Sequence, residues 1–166
     1  MKDIKNGNKI VIKFLDDPKA IPPQSLNIKE NSSTIFIKCI IDRIDIYNNK
    51  YRIIDYKTGF VKSSELQSTD FSDLAQKPKL LQLLLYALLF KKQQKLDSLP
   101  IVACIINLRA TNCKIQYCQI NKIKNIDSAM LQLFENKLGH IILDICDSKQ
   151  TFEHSFREEI CRFCDQ

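Results

Sequence analysis

Three charged side chains, two carboxylates and an ammonium, lie within two short apolar segments of this chain. The segments are 38-KCIIDRIDIY-47 and 50-KYRIIDYKTG-59, and the side chains are Asp42, Asp55 and Lys57. Two carboxylates favour a divalent cation such as Mg²⁺, which in proteins takes one or two carboxylates, waters and substrate phosphate oxygens. Such a cation polarises a phosphodiester and lowers the pKa of a bound water. A neighbouring ammonium stabilises the charge that develops on the phosphate.

A tight hairpin would bring the three side chains to one face of a sheet. Asn48 and Asn49 separate the two segments, and asparagine tolerates the positive φ angles of a two-residue type I′ turn. With that turn, Asp42 lies opposite Asp55, where opposed Cβ atoms are about 4.5–5.5 Å apart. Lys57 follows two residues after Asp55 and therefore shares its face. The register predicts a metal site with an adjacent lysine.

The same register gives the remaining aspartate of the hairpin a different role. Asp45 lies opposite Arg52 and on the other face of the strands, so we predict a structural ion pair for it. The alternative for the whole hairpin is an exposed face with ordinary surface charges that share no ligand.

A glutamine and a tyrosine interrupt the most apolar segment of the chain, 77-KPKLLQLLLYALLFKKQQK-95. The segment predicts a helix that is buried nearly all round. Gln82 and Tyr86 are four residues apart and lie on one helix face. A buried amide requires hydrogen-bond partners, because burying it without them costs a few kcal/mol. Two interpretations remain open: a core pair satisfied by nearby backbone, or part of a functional site.

The elements around these residues predict an α/β fold with a mixed central β-sheet flanked by helices. Residues 1–30 read as an irregular segment with one candidate strand, residues 31–150 as the core domain, and residues 151–166 as a cysteine-containing tail. The predicted elements are strands over 8–17, 34–46, 51–58, 100–109 and 114–120, and helices over 77–95 and 126–146. For the last helix we predict an apolar face of Ala129, Met130, Leu133, Leu138, Ile141 and Ile142.

Composition limits the classes of protein that fit. With 166 residues the chain suits one domain, and 25 basic against 19 acidic residues give a net charge of +6, which is compatible with a polyanionic partner. The start is polar and the longest apolar run, 80-LLQLLLYALLF-90, is shorter than the roughly 20 residues of a membrane span. We therefore expect no membrane partner. The seven cysteines are odd in number, and we expect free thiols in a reducing cytoplasm.

The elements IIDRID and RIIDYKTG resemble the PD-(D/E)XK nuclease superfamily, and within it the RecB/AddB-like nuclease domains of bacterial DNA-repair helicase–nucleases. The resemblance implies a restriction-endonuclease-like core. It implies that Asp42 and Asp55 bind the metal together with the main-chain carbonyl of Tyr56, and that Lys57 is catalytic. These are the same three side chains that the hairpin geometry brings together.

The helix segment QLLLY fits the QxxxY element that RecB-like nucleases carry after their DYK strand. The resemblance implies that Gln82 and Tyr86 complete the wall of the active site and contact the DNA backbone or the catalytic lysine.

As a whole, the resemblance implies a Mg²⁺- or Mn²⁺-dependent, exonuclease-like deoxyribonuclease of DNA repair or recombination. Its partners would be DNA and a helicase domain or subunit. The alternative is a non-catalytic DNA-binding or scaffold module of a helicase–nuclease complex.

Three departures from the family pattern bear on whether this chain is active alone, which stays open. Related domains hold a [4Fe–4S] cluster through a C-terminal cysteine tail, but this chain ends soon after Cys161 and Cys164. We expect that pair to be the remnant of a cluster site in a longer protein, with no cluster in this chain. Cys39 stands where the family usually has glycine. The N-terminal core helix of the family has no counterpart in residues 1–30.

Overall fold

The structure is a computed structural model that describes residues 10–17, 19, 21–28, 33–93, 99–109, 114–149 and 151. Within these residues the strands are β1 (Val11–Leu15), β2 (Gln24–Ile28), β3 (Ser33–Ile37), β4 (Arg43–Tyr47), β5 (Lys50–Lys57), β6 (Gln67–Ser68), β7 (Ile101–Asn107), β8 (Ile115–Tyr117) and β9 (Gln119–Ile120). The helices are α1 (Pro78–Gln93) and α2 (Ser128–Cys146), and two short 3₁₀ turns cover Ser63–Leu66 and Leu74–Gln76.

A five-stranded mixed sheet with the order β1-β4-β5-β7-β8 forms the centre of the fold. The pairs β1/β4, β4/β5 and β7/β8 are antiparallel, whereas β5 and β7 are parallel. Parallel neighbours need a long crossover connection, and α1 lies within the one between β5 and β7. The predicted α/β fold with a mixed sheet and flanking helices is confirmed.

The predicted hairpin between β4 and β5 is confirmed in its turn and its register. Asn48 and Asn49 have φ angles of 50° and 54°, which are the left-handed values that a type I′ turn requires. The ladder pairs Tyr47 with Lys50 and Asp45 with Arg52. Alternate residues of β5 therefore face α1, beginning with Tyr51, whose ring packs edge-on against Phe90 with centroids 5.0 Å apart.

The predicted single strand over 34–46 is wrong, because the chain leaves the sheet between β3 and β4. β3 pairs with β2 in a separate two-stranded sheet. β4 pairs with β1 and β5, and its ladder with β5 starts only at Arg43. Neither glycine nor proline marks the bend at 38–42, and the run of isoleucines reads as continuous strand on both sides of it.

The C-terminal half contains a similar difference. The strand predicted over 114–120 is interrupted at Cys118. β8 continues the central sheet, whereas β9 pairs in parallel with β6. The residues between β7 and β8 at 110–113, with the predicted turn Thr111–Asn112, lie outside the described part of the chain.

The segment of α1 forms a helix because it is rich in leucine and lacks β-branched residues. Its leucines pack against the sheet and form the main core. Pro78 occupies its first turn, where the missing N–H costs nothing. Its fully buried side chains include Leu80, Leu83, Leu84, Leu88, Leu89 and Phe90. Neither described helix combines the length and the apolar character that crossing a bilayer needs.

Helix α2 begins at Asp127, whose side chain accepts a hydrogen bond of 2.8 Å from the Met130 N–H. The predicted apolar face is partly wrong. The buried side chains are Leu131, Phe134 and Leu138, while Leu133 is 60% exposed. Of the predicted face, Leu138 is buried and Met130, Ile141 and Ile142 pack partly buried against the core. Only Ala129 and Leu133 are exposed, because Leu131 and Phe134 pack inward beside them.

Candidate active site

Asp55 and Lys57 lie at the carboxyl end of β5, on the face that packs against α1. The Lys57 ammonium is 2.8 Å from Asp55 Oδ2. Asp55 is only 2% exposed, whereas the Lys57 side chain is 30% exposed. The carboxylate therefore forms the floor of the site and the ammonium lies at its opening.

Asp42 lies near the same site, but in a backbone position that the sequence does not predict. The β4/β5 ladder ends at Arg43 and Ile54, so Asp42 lies one residue beyond the last pair and not in a regular ladder position opposite Asp55. Its carbonyl accepts a hydrogen bond of 2.8 Å from the Asp16 N–H at the end of β1. Its Oδ2 accepts one of 2.7 Å from the Tyr56 N–H of β5. These two bonds fix both the backbone and the carboxylate of Asp42 at the end of the sheet.

The electrostatics of Asp55 reflect burial and a nearby second carboxylate. Burial raises its pKa above the ordinary value, the hydrogen bond and charge of Lys57 partly offset that rise, and the charge of Asp42 adds to it. Asp55 Oδ2 is buried and accepts no further hydrogen bond from a described residue. Two acidic groups and the one cation that contacts Asp55 leave this part of the site with excess negative charge and spare acceptor capacity.

A divalent cation fits this donor set. Mg²⁺ needs only one or two protein carboxylates when waters and substrate phosphates complete its shell. The described residues contain no group of three or more histidine, cysteine, aspartate or glutamate side chains that could hold a metal. Asp42 and Asp55 could serve as the protein side-chain ligands, and this assignment, like that of the Tyr56 carbonyl as a third ligand, stays a prediction.

Gln82 and Tyr86 on α1 join the site through one chain of contacts. The Lys57 ammonium donates to Gln82 Oε1 at 3.2 Å, and Gln82 Nε2 donates to the Tyr86 hydroxyl at 2.7 Å. The amide is therefore satisfied by side chains of the site and not by nearby backbone. Lys57 is held between a carboxylate and an amide, which fixes the position of its charge.

The Tyr86 hydroxyl remains a proton donor at neutral pH. Burial raises the pKa of Tyr86, the hydrogen bond from Gln82 lowers it in part, and the charges of Asp55, Asp42 and Cys39 add to the rise. Cys39 is half-buried beside these groups, and burial raises the pKa of its thiol to about 11. Both residues are therefore protonated and neutral.

Asp45 lies on the opposite face of the same strands, as predicted. It is fully buried and accepts from Arg52 Nε and Nη2, both at 3.0 Å. Arg43 Nη2 adds a third contact at 2.5 Å, a partner that the sequence reasoning missed. The guanidinium of Arg52 also lies 4.3 Å from the ring centroid of Tyr47. The paired cations balance this carboxylate, which marks it as structural.

Asn107 is a further residue of the site region that the sequence reasoning missed. It stands in register with Lys57 on the parallel strand β7. Its Nδ2 donates to the Gly59 carbonyl at 3.0 Å, and its Oδ1 accepts from the Arg109 N–H at 2.9 Å. The available signal was topological: a helix between two apolar strands predicts parallel pairing, and carboxyl ends of parallel strands meet at one edge.

The structure thus brings together five of the predicted site residues: Asp42, Asp55, Lys57, Gln82 and Tyr86. Cys161 and Cys164 lie outside the described residues, as do residues 1–9. Between residues 10 and 30 the described positions form strands and turns.

Comparison with known proteins gives one match that spans almost the entire chain. A family model of the PD-(D/E)XK nuclease superfamily matches residues 9–166. No curated protein and no solved structure matches significantly. The matched range includes the β4/β5 hairpin with its acidic pair and lysine, and helix α1 with Gln82. On the breadth of this match, the chain belongs to the PD-(D/E)XK nuclease superfamily.

Proposed function

We propose that this chain is a metal-dependent deoxyribonuclease domain of the RecB/AddB-like, exonuclease type. The superfamily suggests a nuclease, and the observation that carries the finer proposal is the contact chain from Asp55 through Lys57 and Gln82 to Tyr86. QLLLY is the element that resembles RecB-like nucleases. Its glutamine accepts a hydrogen bond from Lys57 and donates one to its tyrosine. A domain that only binds DNA has no need to bury a carboxylate beside a second one, because burial of a charge is costly.

Asp42 and Asp55 would hold a Mg²⁺ or Mn²⁺ ion, with the carbonyl of Tyr56 as a third protein ligand. When bound, the cation polarises the scissile phosphate and makes a bound water more acidic. The Tyr56 N–H orients Asp42 through the hydrogen bond to its Oδ2. Asp55 is fixed from the other side by Lys57.

Lys57 has the position of an electrostatic stabiliser. Its ammonium lies at the opening of the site, where a phosphate would approach, and Gln82 and Asp55 restrict its motion. A preorganised cation stabilises developing negative charge without having to reorganise during the reaction. The neutral Tyr86 hydroxyl accepts from Gln82 and keeps its own proton available for a backbone oxygen of the substrate.

The biological setting is proposed from the resemblance alone. We place the domain in DNA repair or recombination in the cytoplasm, with DNA as substrate and a helicase domain or subunit as partner.

The test is cleavage of end-labelled single-stranded and double-stranded DNA with Mg²⁺ or Mn²⁺, and with chelator as the blank. Lys57→Ala should lower the rate by about 10²–10³, the usual cost of losing a positioned electrostatic stabiliser. Lys50→Ala is the matched control, because Lys50 lies at the other end of β5 and donates to Asn125 at 2.9 Å. Metal-dependent cleavage that Lys57→Ala leaves intact would contradict the proposed mechanism. Binding of DNA without any cleavage would favour the non-catalytic DNA-binding or scaffold module.

A further inference from the structure

A cavity of about 570 Å³ opens beside the end of β5 and belongs to neither the acidic pair nor α1. We call it the basic groove and define it by Phe60, Lys62, Asn107, Arg109, Lys114 and Gln116. Its walls come from the segment after β5, the end of β7 and the start of β8.

The basic groove is linked to the candidate active site by hydrogen bonds of the chain segment that follows Lys57. The Leu108 N–H donates to the Lys57 carbonyl at 2.9 Å. Asn107 bonds to the Gly59 carbonyl, and Gln116 Nε2 donates to the Val61 carbonyl at 3.2 Å. The segment that follows Lys57 is thus hydrogen-bonded to residues of β8 and of the end of β7, so the groove has a fixed position relative to the lysine.

The charges in the groove are of one sign. Lys62, Arg109 and Lys114 line it, no carboxylate does, and none of the three forms an ion pair with a described residue. Glu65, close by in sequence, is engaged by the Lys62 N–H at 2.7 Å and by the ammonium of Lys79. Three cations along one cavity, with no carboxylate among its lining residues, suit a chain of phosphates as ligand.

Exposed apolar groups accompany these cations. Phe60 is 71% exposed and Leu108 is also exposed. An aromatic ring beside a cationic track is the arrangement on which unpaired bases stack, whereas the bases of a duplex are already stacked on each other. The groove therefore fits a single strand better than a duplex.

We propose that the basic groove binds an unpaired DNA strand and leads it to the candidate active site. Phe60 stacks on a base, and Lys62, Arg109 and Lys114 contact backbone phosphates. The destination of the strand rests on the proposed function, whereas binding in the groove does not.

The affinity test uses a fluorescein-labelled oligothymidylate and fluorescence anisotropy in chelator, so that cleavage plays no part. Phe60→Ala should weaken binding about tenfold, within the range measured for loss of one base–aromatic stack. Phe60→Leu keeps apolar bulk without an aromatic face and should weaken binding similarly. Phe36→Ala is the matched control, because Phe36 is 73% exposed on β3 and outside the groove. Melting temperatures of all variants identify any that are misfolded.

The salt dependence tests the phosphate contacts separately. Each phosphate contact to a single strand contributes about 0.7 to the slope of log affinity against log salt, so Arg109→Gln/Lys114→Gln should reduce that slope by about 1.4. Lys13→Gln/Lys149→Gln removes two exposed lysines outside the groove and should leave the slope unchanged by comparison.

The outcomes separate this inference from the proposed function. Oligothymidylate binding that depends on Phe60 in a protein that cleaves nothing would sustain the groove and refute the nuclease. If the enzyme is active but the groove variants change neither its affinity for oligothymidylate nor the salt slope, the proposed nuclease function stands. The proposed role of the groove in binding is then overturned. Equally tight, Phe60-dependent binding of a matched duplex would overturn the assignment to an unpaired strand.

Discussion

Asparagine substitutions at Asp45 and Asp55 should change the stability of this protein in opposite directions. Both carboxylates are buried on neighbouring strands, but their surroundings differ. Asp45 accepts three contacts of 3.0 Å or less from the guanidiniums of Arg43 and Arg52. Asp55 has one cation, Lys57, and lies near the charge of another carboxylate.

Asp45→Asn removes the carboxylate that two guanidiniums share and leaves their charges with a neutral amide. Breaking a buried ion pair by removing one partner costs about 3–5 kcal/mol. At about 2–4 °C per kcal/mol for a domain of this size, the melting temperature should fall by about 6–20 °C. Arg52 is almost fully buried, so solvent offers it little compensation.

Asp55→Asn should raise the melting temperature when no metal is present. Burial raises the folded-state pKa of Asp55 above the unfolded value. A carboxyl group of this kind contributes its full stability below the unfolded pKa, and that stability is lost as the pH rises through the window between the two values. Above this window the Asp55 carboxylate therefore destabilises the fold, and a neutral amide of the same shape relieves both the burial of charge and the repulsion by Asp42.

The assay is thermal unfolding followed by circular dichroism at neutral pH, in chelator and again with Mg²⁺. Wild type should gain stability from Mg²⁺, because a ligand that binds only the folded state stabilises it. Asp55→Asn should lose the Mg²⁺-dependent rise in melting temperature. Asp45→Asn should keep that rise, although its melting temperature in chelator is lower than that of wild type. The reasoning fails if Asp55→Asn is destabilised in chelator as strongly as Asp45→Asn, since the two carboxylates would then have the same structural role.

Two further predictions concern the helix and the thiols. Gln82→Ala should lower the cleavage rate about 10- to 100-fold in the same end-labelled DNA assay, because the ammonium of Lys57 loses the amide that positions it. A hydrogen bond to a charged group contributes about 1.5–3 kcal/mol. Unchanged cleavage would show that Asp55 alone positions the lysine. Iodoacetamide should alkylate the exposed Cys146 in the native protein and spare Cys104 and Cys118, where burial raises each thiol pKa to about 12. Peptide mass mapping would detect the opposite pattern, modified Cys104 or Cys118 in folded protein, directly.

The parts of the site that the sequence predicts are those set by short-range rules. Two asparagines determine the hairpin turn, and the turn determines which residues of β4 and β5 are opposed. Helical spacing places Gln82 and Tyr86 on one face of α1. The ion pair of Asp45 with Arg52 follows from the same register.

The remaining features depend on contacts between distant parts of the chain. The strand predicted over 34–46 divides into β3, which pairs with β2 in a separate sheet, and β4, which pairs with β1 and β5 in the central sheet. Asp42 lies beyond the hairpin ladder and is held by hydrogen bonds from the backbone N–H groups of Asp16 and Tyr56. Phe60 and Arg109 become neighbours only because β5 and β7 pair in parallel around α1. None of these events has a local signal in the sequence.

The balance of charge, and not the residue type, distinguishes the functional aspartates from the structural one. On one face of the hairpin, two guanidiniums surround Asp45 and leave no negative charge for an external cation. On the other face, the ammonium of Lys57 contacts Asp55, and the charge of Asp42 adds to the negative charge near it. Residue 82 preserves this difference because a glutamine amide positions the ammonium without neutralising it, whereas a glutamate there would form an ion pair with Lys57. A Gln82→Glu variant should therefore hold the lysine more firmly and leave it less charge to offer a phosphate.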